Sequence, residues 1–281
     1  MTVFPDADAL LAGVGAELER EEELNSLLLG AALAARASGG APFCAAVRDG
    51  ARLELAALMT PPRPLLLAGD AAEGDGALAA VVAELRTAGR PVPAVAAPDP
   101  LAEWFARLWT EAAGAPVRGV MRQRLHALTE VEPVPTVPGR MRRAAAGDVE
   151  RVARWMAAFD AEALGEADPG AAREGARGRI GAGEVYLWDD GEPRAMAARA
   201  RPTRRTVAVN GVYTPPEQRG RGLATALVAE LSRALLGEGF RSCVLFTDLA
   251  NPTSNAVYAR IGYRPVRDFA MLRFGAEAGA G

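Results

Sequence analysis

Apolar runs of strand length alternate along this chain with stretches of helical period, separated by glycine, proline and acidic residues. In the second half, residues 141–145 read as a short strand. Asp148 then caps a helix in which Val149, Val152, Met156 and Phe159 share one face. Residues 185–188 and 195–200 form a hairpin around Asp190-Gly191, a pair suited to a tight turn. A buried strand opens at Val207, a two-proline turn follows, and a glycine-arginine loop leads into an amphipathic helix over 223–236. Residues 243–247 make another short strand. Asn251 and Pro252 open a last helix, Gly262 ends it as a left-handed cap, and Tyr263 starts an extended segment. This order predicts an α/β (α+β) fold, a mixed central sheet with helices on both faces.

The first half echoes that order. Residues 43–47 and 53–59 form a hairpin about Asp49-Gly50; 65–68 is strand-like, 78–85 helical, 92–96 extended and 101–112 helical. Val82-Ala83-Glu84-Leu85 recurs as Val228-Ala229-Glu230-Leu231. We read residues 1–130 as a degenerate copy of the fold of 140–281, the two joined by a proline-rich linker over 131–139.

Most of the chemistry lies in residues 207–224, VAVNGVYTPPEQRGRGLA. Gly220 and Gly222 have no Cβ, so the backbone there can approach an anion and take φ values that other residues avoid. The helix that follows leaves its first N–H groups without intrahelical partners, and its dipole adds positive potential. Arg219 and Arg221 bring forked donors that match phosphate oxygens. A pyrophosphate suits such a site. It is not a Walker-type loop, which requires a lysine, and the chain has none. Nor is it a dinucleotide fingerprint, because residues 214–219 intervene between strand and glycines. Taken by itself, the loop also reads as a basic surface turn.

A second motif follows the strand over 243–247. Asn251, Asn255 and Tyr258 are spaced to share one helix face. The chain has four Asn and four Tyr, and two of each fall between positions 251 and 263, although an Asn-capped helix with Tyr in the core accounts for this stretch equally when it is taken in isolation.

Together the two motifs resemble the GNAT superfamily of acyl-CoA-dependent N-acetyltransferases. Arg219, Gly222 and Ala224 meet the family pattern R/Q-x-x-G-x-G/A, and Asn251, Asn255 and Tyr258 meet its asparagine-to-tyrosine helix. The resemblance runs from about residue 140 to 269 and implies two tandem GNAT-like domains with the first degenerate. It implies acetyl-CoA as co-substrate, held by Val212, Tyr213, Thr214, Gln218, Arg219, Gly220, Arg221, Gly222, Leu223, Ala224, Thr225, Asn251, Asn255 and Tyr258. In that fold the loop amides hold the diphosphate, and the pantetheine arm pairs beside residues 210–214 as an added strand would. It implies that the Val212 N–H meets the acetyl carbonyl and stabilises the oxyanion. Tyr258 then protonates the departing thiolate after direct attack by a primary amine. An acyl-CoA-binding regulator without turnover is the alternative.

An amine resembling lysine must lose a proton before attack. Asp160, Glu162 and Glu166 follow the first helix of the second half, where the family walls its acceptor pocket, and Asp248 ends the strand over 243–247. A solvated surface acid is the favoured reading of each, and Glu162 is preferred among them as the catalytic carboxylate. In the first half, the place of the glycine-arginine loop is taken by Asp70, Glu73 and Asp75, which would repel a diphosphate. That half is expected to shape the acceptor pocket or to stabilise its partner, with Glu23, Asn25 and Thr60 as its polar candidates.

Composition narrows the classes further. At 281 residues the chain has room for two domains, and 50% apolar residues supply their cores. A net charge of −3 and a pI near 5.5 argue against nonspecific binding to nucleic acid or anionic membrane. All 32 basic residues are arginine, which excludes Schiff-base chemistry on a lysine. Cys44 and Cys243 lie in apolar runs and read as buried thiols. With these and the single His126, itself read as a core or surface histidine before a base, no metal site is expected. The N-terminus lacks a basic leader and no apolar run approaches the ~20 residues of a membrane span, so a cytoplasmic location is expected. A small-molecule amine and a protein amine both remain open as acceptors, as does the oligomeric state.

Overall fold

The computed structural model describes residues 1–38, 41–72, 74, 76–165 and 167–275, which fall into two units. One comprises Met1–His126, Phe246–Asn251 and the chain from Pro265; the other comprises Ala127–Leu245 and Pro252–Arg264.

The first unit contains β1 (Thr2–Phe4), α1 (Ala7–Leu18), α2 (Glu22–Ser38), β2 (Phe43–Asp49), β3 (Arg52–Met59) and β4 (Leu65–Gly69). They are followed by α3 (Gly76–Thr87), β5 (Ala94–Pro98), α4 (Leu101–Ala113) and β6 (Val117–Leu128). The β2–β3 and β3–β4 pairs are antiparallel and β4–β5 is parallel. Strand alternation divides its core into two faces. Phe43, Ala45, Leu55, Ala57 and Met59 pack on one side with Leu78, Val82, Phe105 and Trp109 of α3 and α4. Cys44, Ala46, Ala56 and Leu58 pack on the other with Leu10, Val14, Leu28 and Leu29 of α1 and α2.

The second unit repeats the plan. It contains β7 (Arg140–Arg143), α5 (Val149–Leu164), α6 (Pro169–Gly181), β8 (Val185–Asp189), β9 (Pro193–Ala200) and β10 (Thr206–Tyr213). Next in the chain come α7 (Leu223–Gly237), β11 (Ser242–Asp248), α8 (Pro252–Ile261) and β12 (Arg264–Phe274); the end of β11 and all of β12 after Arg264 belong to the first unit. Here β8–β9 and β9–β10 are antiparallel and β10–β11 is parallel. The order β8-β9-β10-α7-β11-α8-β12 therefore matches β2-β3-β4-α3-β5-α4-β6 element for element, and the recurring Val-Ala-Glu-Leu falls on the equivalent helices α3 and α7. The tandem reading holds at the level of topology. Within the first unit, the last strand, β12, pairs antiparallel with β5, Phe269 opposite Pro98 and Arg273 opposite Ala94.

One sequence expectation fails in its detail. Asp148 stands at the N-cap of α5 but its side chain does not bond the helix amides. It accepts instead from the Ala145 N–H at 2.8 Å, and Arg142 donates to both its oxygens at 2.7 and 3.0 Å. A single 3-10 turn over 146–148 precedes α5 and turns the carboxylate back toward β7. The segment 131–139 is irregular, and its Val131, Val134 and Val137 pack against the α7 face of the second unit.

Candidate cofactor and catalytic site

Strand β10 positions the site through a bulge. Gly211 has φ +58, and the β9 register advances from Asn210 opposite Ala198 to Tyr213 opposite Met196, one residue extra on β10. Before the bulge, Val207 and Val209 face α7. After it the faces exchange: Val212 packs on the α7 side, while Tyr213 joins the α5 side and meets Trp155 at 6.5 Å between ring centroids. The parallel ladder with β11 pairs Thr206, Val207 and Ala208 with Ser242, Cys243 and Val244 and stops short of the bulge. Residues 210–213 thus have backbone groups with no β11 partner.

The loop then delivers a helix mouth. A 3-10 turn over Pro216–Gln218 leads to Gly220 and Gly222, both at φ +76 in the left-handed region. Gly222 is the N-cap of α7, and among the described residues no side chain caps the helix. The first amides, at Leu223, Ala224 and Thr225, are left for an external acceptor. A Cβ on Gly220 would meet nothing within 4 Å, so space lies open beside the backbone. Thr214 Oγ1 is buried with no hydrogen-bond partner. An uncapped left-handed helix entry, open space and an orphaned hydroxyl all fit a phosphate-bearing cofactor.

Arg219, Glu162, Tyr213 and Thr214 form one cluster. Arg219 Nε donates to the Thr214 carbonyl at 2.9 Å, and Nη2 donates to both Glu162 oxygens at 2.8 and 2.7 Å. The Tyr213 hydroxyl donates to Glu162 at 3.3 Å, and the Arg219 guanidinium lies 5.7 Å from the Tyr213 ring centroid. Burial, then the Glu162 charge, raise the Tyr213 phenol above its ordinary value. Arg221 donates to Gln218 and lies 4.0 Å from Asp190.

Asn255 and Tyr258 lie on α8 as expected, Tyr258 buried against α7 and edge-on to Tyr263 at 6.0 Å. Burial pushes its phenol well above the ordinary value, so it remains protonated across neutral pH. Asn251 is exposed in the turn before α8, its N–H donating to the Asp248 carbonyl at 3.0 Å. Asn251 groups with the first unit and the other two with the second.

Among the remaining carboxylates, Asp248 accepts from the Ala250 N–H at 2.8 Å and so closes that turn. Asp160 is half-buried, and burial raises its carboxyl above the usual range. Glu166 lies outside the described residues, as do Glu73 and Asp75 of the first-half loop; Asp70 there is exposed, its N–H donating to Glu54 at 3.0 Å. Of the first-half candidates, Asn25 Nδ2 donates to the last carbonyl of α1 at 3.0 Å, a structural cap. His126 is a core histidine, its Nε2 3.1 Å from Thr247 Oγ1. Among the described residues no cluster of His, Cys, Asp or Glu is placed to hold a metal, and no helix is long and apolar enough to cross a membrane.

Sequence reasoning missed Trp155, which braces Tyr213, and Val137, which lies behind Gly222. The glycine inside a β run at 211 was the available signal for the bulge.

The sequence model of the acetyltransferase (GNAT) family matches residues 149–263. Among solved structures, the chain is similar to an acetyltransferase of the GNAT family from Novosphingobium aromaticivorans, described as putative, at 23% identity and a TM-score of 0.52, covering 83% of this chain and 92% of that one. It is similar to a GCN5-related N-acetyltransferase from Sphaerobacter thermophilus at 19% identity and a TM-score of 0.56, covering 81% and 78%. A tandem GNAT protein from the clavulanic acid biosynthesis pathway matches at 18% identity and a TM-score of 0.53, covering 86% and 84%. No curated protein matches the sequence.

Proposed function

We propose, from the match of residues 149–263 to the GNAT family, that the chain is an acyl-CoA-dependent acetyltransferase that acetylates a primary amine from acetyl-CoA. The reaction is direct attack in a ternary complex. The observation that carries this reading is the uncapped entry of α7 behind two left-handed glycines, directly downstream of a bulged strand whose end, residues 210–213, lies beyond its ladder with β11.

Acetyl-CoA would supply an activated acyl group with a thiol leaving group. The amides at Leu223, Ala224 and Thr225, with Gln218, Arg219 and Arg221, bind its diphosphate. Residues 210–214 align the pantetheine arm by backbone pairing. The Val212 N–H, one residue past the bulge, stabilises negative charge developing on the acyl oxygen. Tyr258 holds a proton that burial keeps in place and delivers it to the leaving sulfur; Asn255 precedes it on α8 and lines the cofactor. Glu162 accepts the proton of the amine. Three or four charge-assisted hydrogen bonds at about 1.5–3 kcal/mol each, less the cost of association, are compatible with a cofactor affinity in the micromolar range.

The acceptor is a small-molecule amine or a protein amine. Calorimetry with acetyl-CoA and thiol release across an amine library test the proposal. Binding with turnover on some amine is expected; binding without turnover on any would favour a regulator, and no binding would remove the cofactor site.

A further inference from the structure

We propose that the Glu162–Arg219 pair is a latch on the loop, so that seating the cofactor diphosphate and freeing the Glu162 carboxylate are a single event. The inference rests on the loop being a coenzyme A site. One carboxylate ties three segments: the last turns of α5, the end of β10 through Tyr213 at 3.3 Å, and the loop through Arg219 at 2.7 and 2.8 Å. Arg219 is turned further inward by its Nε bond to the Thr214 carbonyl at 2.9 Å.

Arg219 is thus folded onto the loop that its charge is expected to serve. A diphosphate at the α7 amides competes with Glu162 for the same forked donors, and its charge repels the carboxylate. The other loop arginine, Arg221, also has an acid near it, Asp190 at 4.0 Å, so the latched loop offers a diphosphate little net positive charge. Binding and unlatching are therefore linked, and whatever the pair contributes is subtracted from cofactor affinity. The two side chains are 47% and 49% exposed, which keeps that contribution small and the latch reversible. While latched, both Glu162 oxygens are occupied by Arg219, so the carboxylate is not presented to an amine. Once Arg219 turns to the diphosphate, the carboxylate on α5 is left beside Tyr213 with its acceptor capacity restored.

The test is calorimetric titration of free coenzyme A, which carries no acyl group to transfer, into the full chain. Four proteins are compared: wild type, Glu162→Gln, Arg219→Gln and the double variant. Glutamine at 219 fits the family pattern at that position, and both sites are at the surface, so folding is preserved. Glu162→Gln is expected to tighten binding by roughly two- to fivefold, a gain in affinity from removing a residue assigned to catalysis. In the Arg219→Gln background the same change is expected to give no gain. Unchanged or weaker binding by Glu162→Gln overturns the latch, and so does an equal gain in both backgrounds, which would be plain charge repulsion. Absence of coenzyme A binding by the wild type overturns the loop reading itself and the latch with it.

Discussion

A Cβ placed on Gly222 would lie 3.3 Å from Cγ1 of Val137, a residue of the proline-rich segment before β7. The helix mouth is thus backed by packed side chain on one face and open on the Gly220 side. Alanine at 222 meets two costs: the left-handed backbone at φ +76, about 1–2 kcal/mol for a residue with a Cβ, and the approach to Val137. We expect Gly222→Ala to lower Tm by about 2–6 °C and to weaken coenzyme A binding by about tenfold or more. Gly220→Ala shares the strain without the contact, so its Tm should fall less. Equal Tm losses in thermal unfolding would show that Val137 does not constrain the loop.

Tyr258 offers a cleaner separation of binding from chemistry. Phenylalanine keeps the buried ring and its edge-on contact with Tyr263 while removing the hydroxyl. Steady-state kinetics on Tyr258→Phe should show kcat reduced by roughly 10²–10⁴, with coenzyme A affinity near that of the wild type. An unaltered kcat would strip Tyr258 of its role as acid.

Arg142 predicts an acid-labile brace in the second unit. Its guanidinium holds Asp148 and Asp189 below the usual carboxylate range, by hydrogen bonds at 2.7 and 2.6 Å. A carboxyl depressed in the folded state contributes stability above its unfolded value near 4, lost as pH falls through the folded value. Urea unfolding should show wild-type stability declining below about pH 4 more steeply than that of Arg142→Gln. Parallel curves would count against the brace.

His126 adds a second, milder pH dependence. Burial, then the Arg124 charge, lower its imidazole below the ordinary value near 6.5. The unfolded chain therefore takes up a proton first as pH falls, and stability present at neutral pH is lost from about 6.5 downward, through the folded value. The slope of stability between about pH 6.5 and 5 should flatten in His126→Gln, whatever that variant's absolute stability. A slope equal to the wild type's would mean that the histidine does not set it.

Much of this molecule follows from short stretches read by themselves. Hairpins about Asp49-Gly50 and Asp190-Gly191, the glycine-arginine entry to α7, and α8 between Pro252 and the Gly262 cap depend on local backbone preferences, which act over a few residues. Helix α6 carries an Asp168 cap and Pro169 at its first position, yet four glycines within 169–181 hide it from a propensity reading. The long strand β6 and the helices α1 and α2 lay in the region where the family pattern is faint.

Other features needed distant parts of the chain to meet. That β12 pairs with β5 is a choice among strand edges, and an extended segment carries no record of its partner. The bulge at Gly211 moves Tyr213 to the opposite face from the one that alternation assigns, and only with it there can Tyr213 reach Glu162. Glu162 and Arg219 stand 57 positions apart, so their pairing is set by how α5 packs against the sheet. Sequence alone determined the glycine-arginine entry to α7 and the order of elements repeated in the two halves, because both rest on local geometry. Tertiary packing decided which charges face each other, because charge pairing is a property of proximity and not of order along the chain.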